Sequence, residues 1–239
     1  VYNAIEIPGI PVPMTLPVLG VIYQIDTEKD TADPTRIQKA VLPNHMIILA
    51  NGMAFDRKGN LYISNTYAPA ASAFAIPESA IIKVTILDTE LFTISEENWL
   101  PVEQGGTFPN GIQICRNTMY YVSGNTAMRI KINNDGSPGE VKTIYTTLEQ
   151  NLFDDLTILP GAIAVAEVSA PFFMPTTETV GKISIISTRK DNKLLDEIIF
   201  EQGIFPSSVT LVRGKSPFNR GSLLVTDIVS GGLYEIGLY

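Results

Sequence analysis

Three oxygen-bearing side chains stand at matching places in this 239-residue chain: Asn51 opens Asn-Gly-Met-Ala-Phe-Asp, Asn110 opens Asn-Gly-Ile-Gln-Ile-Cys and Asp154 opens Asp-Asp-Leu-Thr-Ile-Leu. A fourth related segment, Ser-Ser-Val-Thr-Leu-Val, begins at Ser207. Hard cations such as Ca²⁺ take six to eight oxygens from carboxylates, amide carbonyls and water. Asn51, Asn110, Asp154 and the adjacent Asp155 are that kind of donor, provided the fold brings them to one point. Asn-Gly before a strand is also ordinary turn chemistry, and a single copy would carry no more than that. Recurrence in one register is what points to a ring of donors.

Each segment precedes a second apolar strand. Copies of that strand start at Val1, Leu61, Met119, Ile163 and Leu223, with separations of 60, 58, 44 and 60 residues. Strand-built repeats of this length are the signature of a β-propeller, in which equivalent loops of all blades face one axis. The all-β reading places four-stranded blades at starts near 51, 110, 154 and 207, with a partial blade over 1–48, in a single domain spanning 1–239. In one full repeat Gly52–Asp56, Leu61–Asn65 and Ala80–Leu87 are the first three strands, with a fourth near Glu90–Ser95. The next blades read Gly111–Cys115, Met119–Ser123, Met128–Ile132 and Glu140–Tyr145, then Leu156–Leu159, Ile163–Glu167, Lys182–Ile186 and Asp196–Glu201. Val209–Val212, Leu223–Asp227 and Leu233–Leu238 follow. With three strands in the partial blade that makes 18 where a six-bladed ring needs 24, so a six-bladed propeller with part of its ring missing from this chain is expected. A five-bladed ring closed by unusual pairing is the alternative.

Bulk chemistry narrows the partners. A formal net charge of −8 without a basic cluster argues against nucleic acid, whose phosphates need a positive footprint. No stretch reaches the roughly 18 apolar residues of a transmembrane span. The one cysteine, Cys115, excludes an intrachain disulfide and a thiolate metal site, and its place on an alternating strand predicts a small core residue. No signal peptide opens the chain, and a mature secreted protein would have lost one. A secreted or periplasmic location is expected over a cytoplasmic one.

The connections between second and third strands carry the ligand expectation. Those at 7–17, 67–77 and 169–175 are long, stiffened by proline and apolar, which is unusual for surface loops. Met14, Phe74, Phe172, Phe173 and Met174 are therefore candidate contacts for a small, fairly apolar molecule, with Glu6 and Glu167 as a polar rim. The loops could instead pack on one another as a lid. His45, the single histidine, lies six residues before Asn51 and is a candidate general base near neutral pH. No Gly-x-Ser-x-Gly elbow is present, and Ser207-Ser208 has no second histidine to activate it.

The segments from Ala50 to Asn65, Phe108-Pro109-Asn110-Gly111-Ile112 and Asp154-Asp155-Leu156-Thr157 resemble the SMP-30/gluconolactonase and paraoxonase superfamily at the level of a repeat. The resemblance implies a six-bladed propeller with Ca²⁺ or another divalent ion at its axis, and hydrolysis of lactones or esters. It makes Asn51 and Asn110 amide ligands, Asp154 a ligand or base, and Asp155 a residue standing where some members carry a further amide ligand. The Glu that such families take from their first blade has no counterpart in this chain. The function expected is a metal-dependent lactone or ester hydrolase. The alternatives are an NHL-like interaction propeller, against which the apolar loops and acidic charge speak, and a propeller that binds a natural product and has a non-hydrolytic role.

Overall fold

Hairpin follows hairpin along this chain, because each alternating apolar run ends in a residue set that can only turn. A computed structural model describes residues 3–5, 14–16, 20–42, 49–66, 79–106, 108–147, 151–169, 180–189 and 191–238. Its packing forms two units, Val1–Phe108 and Pro109–Tyr239.

The first unit contains β1 (Asn3–Ile5), β2 (Met14–Leu16), β3 (Gly20–Ile25), β4 (Ile37–Leu42), β5 (Leu49–Phe55), β6 (Leu61–Thr66), β7 (Ser79–Asp88) and β8 (Thr93–Pro101), then one helical turn, α1 (Val102–Gly105). Strands β1–β2 and β3–β4 are antiparallel pairs, and β5–β6–β7–β8 is a four-stranded antiparallel meander. The turn from β5 to β6 is tied by Asp56, whose Oδ1 accepts the N–H of Lys58 at 2.8 Å and of Asn60 at 2.9 Å. Gly59 there adopts φ +86°, a backbone that other residues reach only with strain. Burial works against the Asp56 carboxylate, but these bonds and those from the Asn60 amide and the Tyr62 hydroxyl outweigh it and hold its pKa below the ordinary value. Leu42, Leu61, Ile63, Ile82 and Val84 pack the β3–β4 pair onto the meander. The ring of Tyr62 meets Trp99 edge-on at 4.8 Å.

The second unit contains β9 (Pro109–Cys115), β10 (Thr118–Ser123), β11 (Thr126–Ile132), β12 (Pro138–Thr146), β13 (Asn151–Leu159), β14 (Ala162–Ser169), β15 (Lys182–Ser187), β16 (Leu194–Ile199), β17 (Pro206–Leu211), β18 (Leu223–Asp227) and β19 (Leu233–Ile236). They form two four-stranded meanders and a three-stranded one, each in sequence order. One apolar layer, including Val122, Phe153, Leu156 and Val165, joins the first two sheets. A second, including Ala164, Ile183, Val209 and Val225, joins the second and third. The first strands β9, β13 and β17 lie side by side.

These sheets are the blades of a β-propeller. Among the described residues no helix is long and apolar enough to cross a membrane. Two expectations need correction. The stretch beginning at Glu90 is not yet strand: Asp88 Oδ1 accepts the N–H groups of Glu90 and Leu91 at 2.8 and 3.0 Å, which makes a turn and moves β8 to Thr93–Pro101. Cys115 is an exposed free thiol, not a core residue, because it ends β9 beside the turn where Arg116 takes φ +57°.

Candidate functional site

The first strand of each three- or four-stranded meander carries one extra residue, at the repeat position picked out by the sequence. Ala50 pairs with Asn65 but Met53 with Ile63, so three steps on β5 oppose two on β6, with Asn51-Gly52 in the gap. Pro109 pairs with Ser123 and Ile112 with Tyr121, enclosing Asn110-Gly111. Phe153 pairs with Glu167 and Leu156 with Val165, enclosing Asp154-Asp155. Pro206 pairs with Asp227 and Ser208 with Thr226, setting Ser207 apart. Such bulges break the ladder, twist the strand and re-aim a side chain. The Asn-Gly pairs thus lie inside strands, not in turns.

In the second unit the bulges interlock. Asn110, 2% exposed, donates from Nδ2 to Asp154 Oδ1 at 2.7 Å, across from β9 to β13. Asp155 reaches the other way. Its Oδ2 accepts the Ser208 hydroxyl at 2.6 Å and the Val209 N–H at 3.3 Å from β17. A Cβ on Gly111 would stand 2.4 Å from Asp155 Oδ1 and 2.6 Å from its Cα, so this glycine is required by close approach. Further along, Ile158 N–H donates to Gln113 Oε1 at 3.3 Å and Leu211 N–H to Thr157 Oγ1 at 3.2 Å. Asp154 and Asp155 together bridge three successive blades.

Burial pushes the Asp154 carboxyl up to about 6; the Asn110 amide opposes the rise and the neighbouring charge of Asp155 adds to it. Asp155 is also raised by burial, against the hydrogen bonds from Ser208, Leu156 and Val209. Desolvated anions side by side favour protons or a cation, and among the described residues no Lys or Arg ion pair reaches either carboxylate. Nor do three or more His, Cys, Asp or Glu gather in metal-binding reach among them. The available donors are an amide and carboxylates, hard oxygens of the kind Ca²⁺ accepts. In donor type Asn110 and Asp154 fit such an ion, whereas Asp155 is largely committed to β17.

The remaining expected residues are placed as follows. Asn51 is exposed on β5 in the first unit, in its own bulge, where Gly52 N–H donates to Ser64 Oγ at 2.6 Å. Glu167, expected on a rim, is fully buried. It accepts the Asn151 amide at 2.8 Å and the Ser184 hydroxyl at 2.5 Å, and pairs with Lys182 at 3.3 Å. Glu6, His45, Phe74, Phe172, Phe173 and Met174 lie outside the described residues, as does the side chain of Met14 on β2. Ser208 is a residue that the repeat register passes over. The sequence register selects Ser207, whose hydroxyl instead contacts Thr226 Oγ1 at 3.1 Å within its own blade. The doublets Asn-Gly, Asp-Asp and Ser-Ser contained the signal: the second members, Gly111, Asp155 and Ser208, are the complementary set.

No family model matches the sequence, and no curated protein matches it. Solved structures do. A chain of a nidogen/laminin complex is 15% identical with a TM-score of 0.54, over 87% of this chain and 70% of that one. The fold is a β-propeller. A streptogramin B lyase is 14% identical (TM-score 0.49), over 85% of this chain and 59% of its own. A candidate 6-phosphogluconolactonase from Bacteroides fragilis NCTC 9343 is 11% identical (TM-score 0.49), over 91% and 66%. The chain thus spans less than two thirds of the length of the last two, and at these identities the likeness is one of fold.

Proposed function

We propose that this propeller is a divalent-cation-dependent hydrolase of a small, fairly apolar lactone or ester, of SMP-30/gluconolactonase-like type. The observation that carries the reading is the Asn110–Asp154 pair, 2.7 Å apart across two blades, in a carboxylate-rich spot without a basic partner among the described residues. Asn110 and Asp154 would hold the ion, and the repeat assigns Asn51 the same part in its own blade. When bound, a divalent cation polarises an ester carbonyl and stabilises negative charge on its oxygen.

The chain's own residues supply the rest. Asn110 orients the Asp154 carboxylate through Oδ1. Ser208 and the Val209 N–H hold Asp155 against β17, so Asp154, not Asp155, is the carboxylate left for chemistry. Without an ion the Asp154 carboxyl titrates at about 6, a strength that would suit proton transfer from an attacking water near neutral pH. A carboxylate that also neutralises a cation is a weaker base, and His45 is the group whose ordinary pKa suits the proton transfer better.

The test pairs stability with turnover. Calcium at a hundredfold excess over its dissociation constant should stabilise the fold by about 2.7 kcal/mol, a rise in Tm of about 5–10 °C for a chain of this size. Asn110→Ala and Asp154→Ala should abolish both that rise and the hydrolysis of a panel of alkyl lactones and aryl esters. Chelation that alters neither stability nor turnover refutes the reading.

A further inference from the structure

The chain contains two Asn-Gly doublets, Asn51-Gly52 and Asn110-Gly111, and both lie in bulges of first strands. The doublet is chemically labile in any chain. A backbone nitrogen can attack the side-chain carbonyl carbon of the asparagine before it, and glycine has no Cβ to shield that nitrogen or to restrict the rotation that brings it round. In a regular strand the ladder on both sides opposes that rotation. A bulge leaves its inserted residues outside the ladder, so each doublet is restrained by what its own atoms touch.

The two doublets are restrained unequally. Asn110 is 2% exposed, and its Nδ2, the atom that would leave as ammonia, donates to Asp154 Oδ1 at 2.7 Å. Asp155 closes over Gly111, its Oδ1 only 2.4 Å from where a Cβ would stand. Asn51 is exposed, with Leu49 and Ala50 exposed beside it. Among the described residues no hydrogen bond holds its amide. The Gly52 N–H donates to the Ser64 hydroxyl at 2.6 Å, and that hydroxyl donates back to the Gly52 carbonyl at 3.3 Å. The restraint on the Gly52 nitrogen is thus one bond to a side chain, whereas Asn110 and Gly111 are closed in from two strands.

We infer that Asn51 is a self-modification site, deamidating through Gly52 while Asn110 is protected. The Gly52 nitrogen forms a bond to Asn51 Cγ, the Cγ–Nδ2 bond breaks, and the proton lost from the Gly52 nitrogen passes through solvent to the departing ammonia. Water then adds to either carbonyl of the resulting cyclic imide and opens it to aspartate or isoaspartate. The net change is hydrolysis of an amide, with water as the co-reactant and no oxidation or reduction. Either product puts a carboxylate in the β5 bulge, the donor type that Asp154 supplies to β13, and makes the net charge one unit more negative than −8.

The test holds the folded chain in mildly alkaline buffer and maps deamidation at each asparagine by peptide mass spectrometry over time, with a urea-unfolded sample in parallel. In the folded chain Asn51 should react at least about tenfold faster than Asn110, the worth of one hydrogen bond to a charged group. In urea the two rates should converge. Ser64→Ala should speed the reaction at Asn51 about fivefold, the worth of one neutral hydrogen bond, and leave Asn110 unchanged. Gly52→Ala should suppress it. Equal rates at the two sites in the folded chain, an Asn51 still intact there when the unfolded sample has reacted fully, or the parent rate in Gly52→Ala overturns the inference. If a variant fails to fold, the comparison of the two asparagines in the unaltered protein decides alone.

Discussion

Replacing Gly111 by alanine separates a packing role from a turn role. Gly111 lies in β9 and does not take a left-handed backbone, so alanine costs nothing in backbone conformation. Its cost is steric. The new methyl would stand 2.4 Å from Asp155 Oδ1, 2.6 Å from Asp155 Cα and 3.0 Å from the Leu156 nitrogen. Two of these three atoms are backbone of β13, which can retreat only by lifting off β9. Overpacking costs typically 1–3 kcal/mol, and a backbone clash belongs at the upper end, about 3 kcal/mol. At roughly 2–4 °C per kcal/mol for this chain length, Tm should fall by about 6–12 °C. Gly59→Ala is the matched control: φ is +86° but nothing lies within 4 Å of the added carbon, so only about 1–2 kcal/mol of backbone strain is expected. Thermal and urea unfolding of both variants provide the measurement. A Gly111→Ala protein melting within about 1 °C of the parent would show that the strands do not approach so closely, and the interlocked bulges would lose their physical basis.

Three further outcomes are expected. Asp154 titrates at about 6 in the fold against an ordinary 3.8, so the folded state holds its proton more tightly. Stability then falls as pH rises through that window and is spared below about pH 4. In chelator, Asp154→Asn should therefore match the parent at pH 3.5 and exceed it by up to about 3 kcal/mol at pH 8; a variant less stable than the parent at pH 8 would contradict the sign. Ser208→Ala removes the 2.6 Å bond to Asp155 and leaves a half-buried carboxylate short of a donor, costing about 1–3 kcal/mol in urea unfolding; no measurable loss would show that the bond contributes nothing. Cys115, being exposed, should react fully with a maleimide in the native protein, and protection until denaturation would return it to the core.

How far the sequence could be read depended on whether a feature is local to one strand. Alternation alone placed Met119–Ser123 and Ile163–Glu167, which the structure gives as Thr118–Ser123 and Ala162–Ser169. Repeat register alone aligned Asn110 with Asp154, and the two do meet. What escaped were properties of pairs. A bulge exists only relative to a partner strand, so Asn51-Gly52 and Asn110-Gly111 read as turn formers until Asn65 and Ser123 fixed the count of residues opposite them. The choice of Ser208 over Ser207 depends on which face of β17 meets β13. Glu167 ends an apolar strand and looked like a rim, yet Lys182 and Ser184 on β15 make its burial tolerable, since a buried carboxylate needs such partners.

The inserted residue in each first strand makes the chemistry editable. A donor on a regular ladder position could not be removed without shifting the register and turning the rest of the strand inside out. A donor on a supernumerary residue can be. Excising one residue between Phe153 and Leu156 would restore one-for-one pairing with β14 and leave a single aspartate there, while the strands on both sides kept their faces. Duplication of a blade would copy a donor position complete, and loss of a single codon would retire it. A lineage built this way can gain, move or discard polar groups blade by blade on an unchanged scaffold.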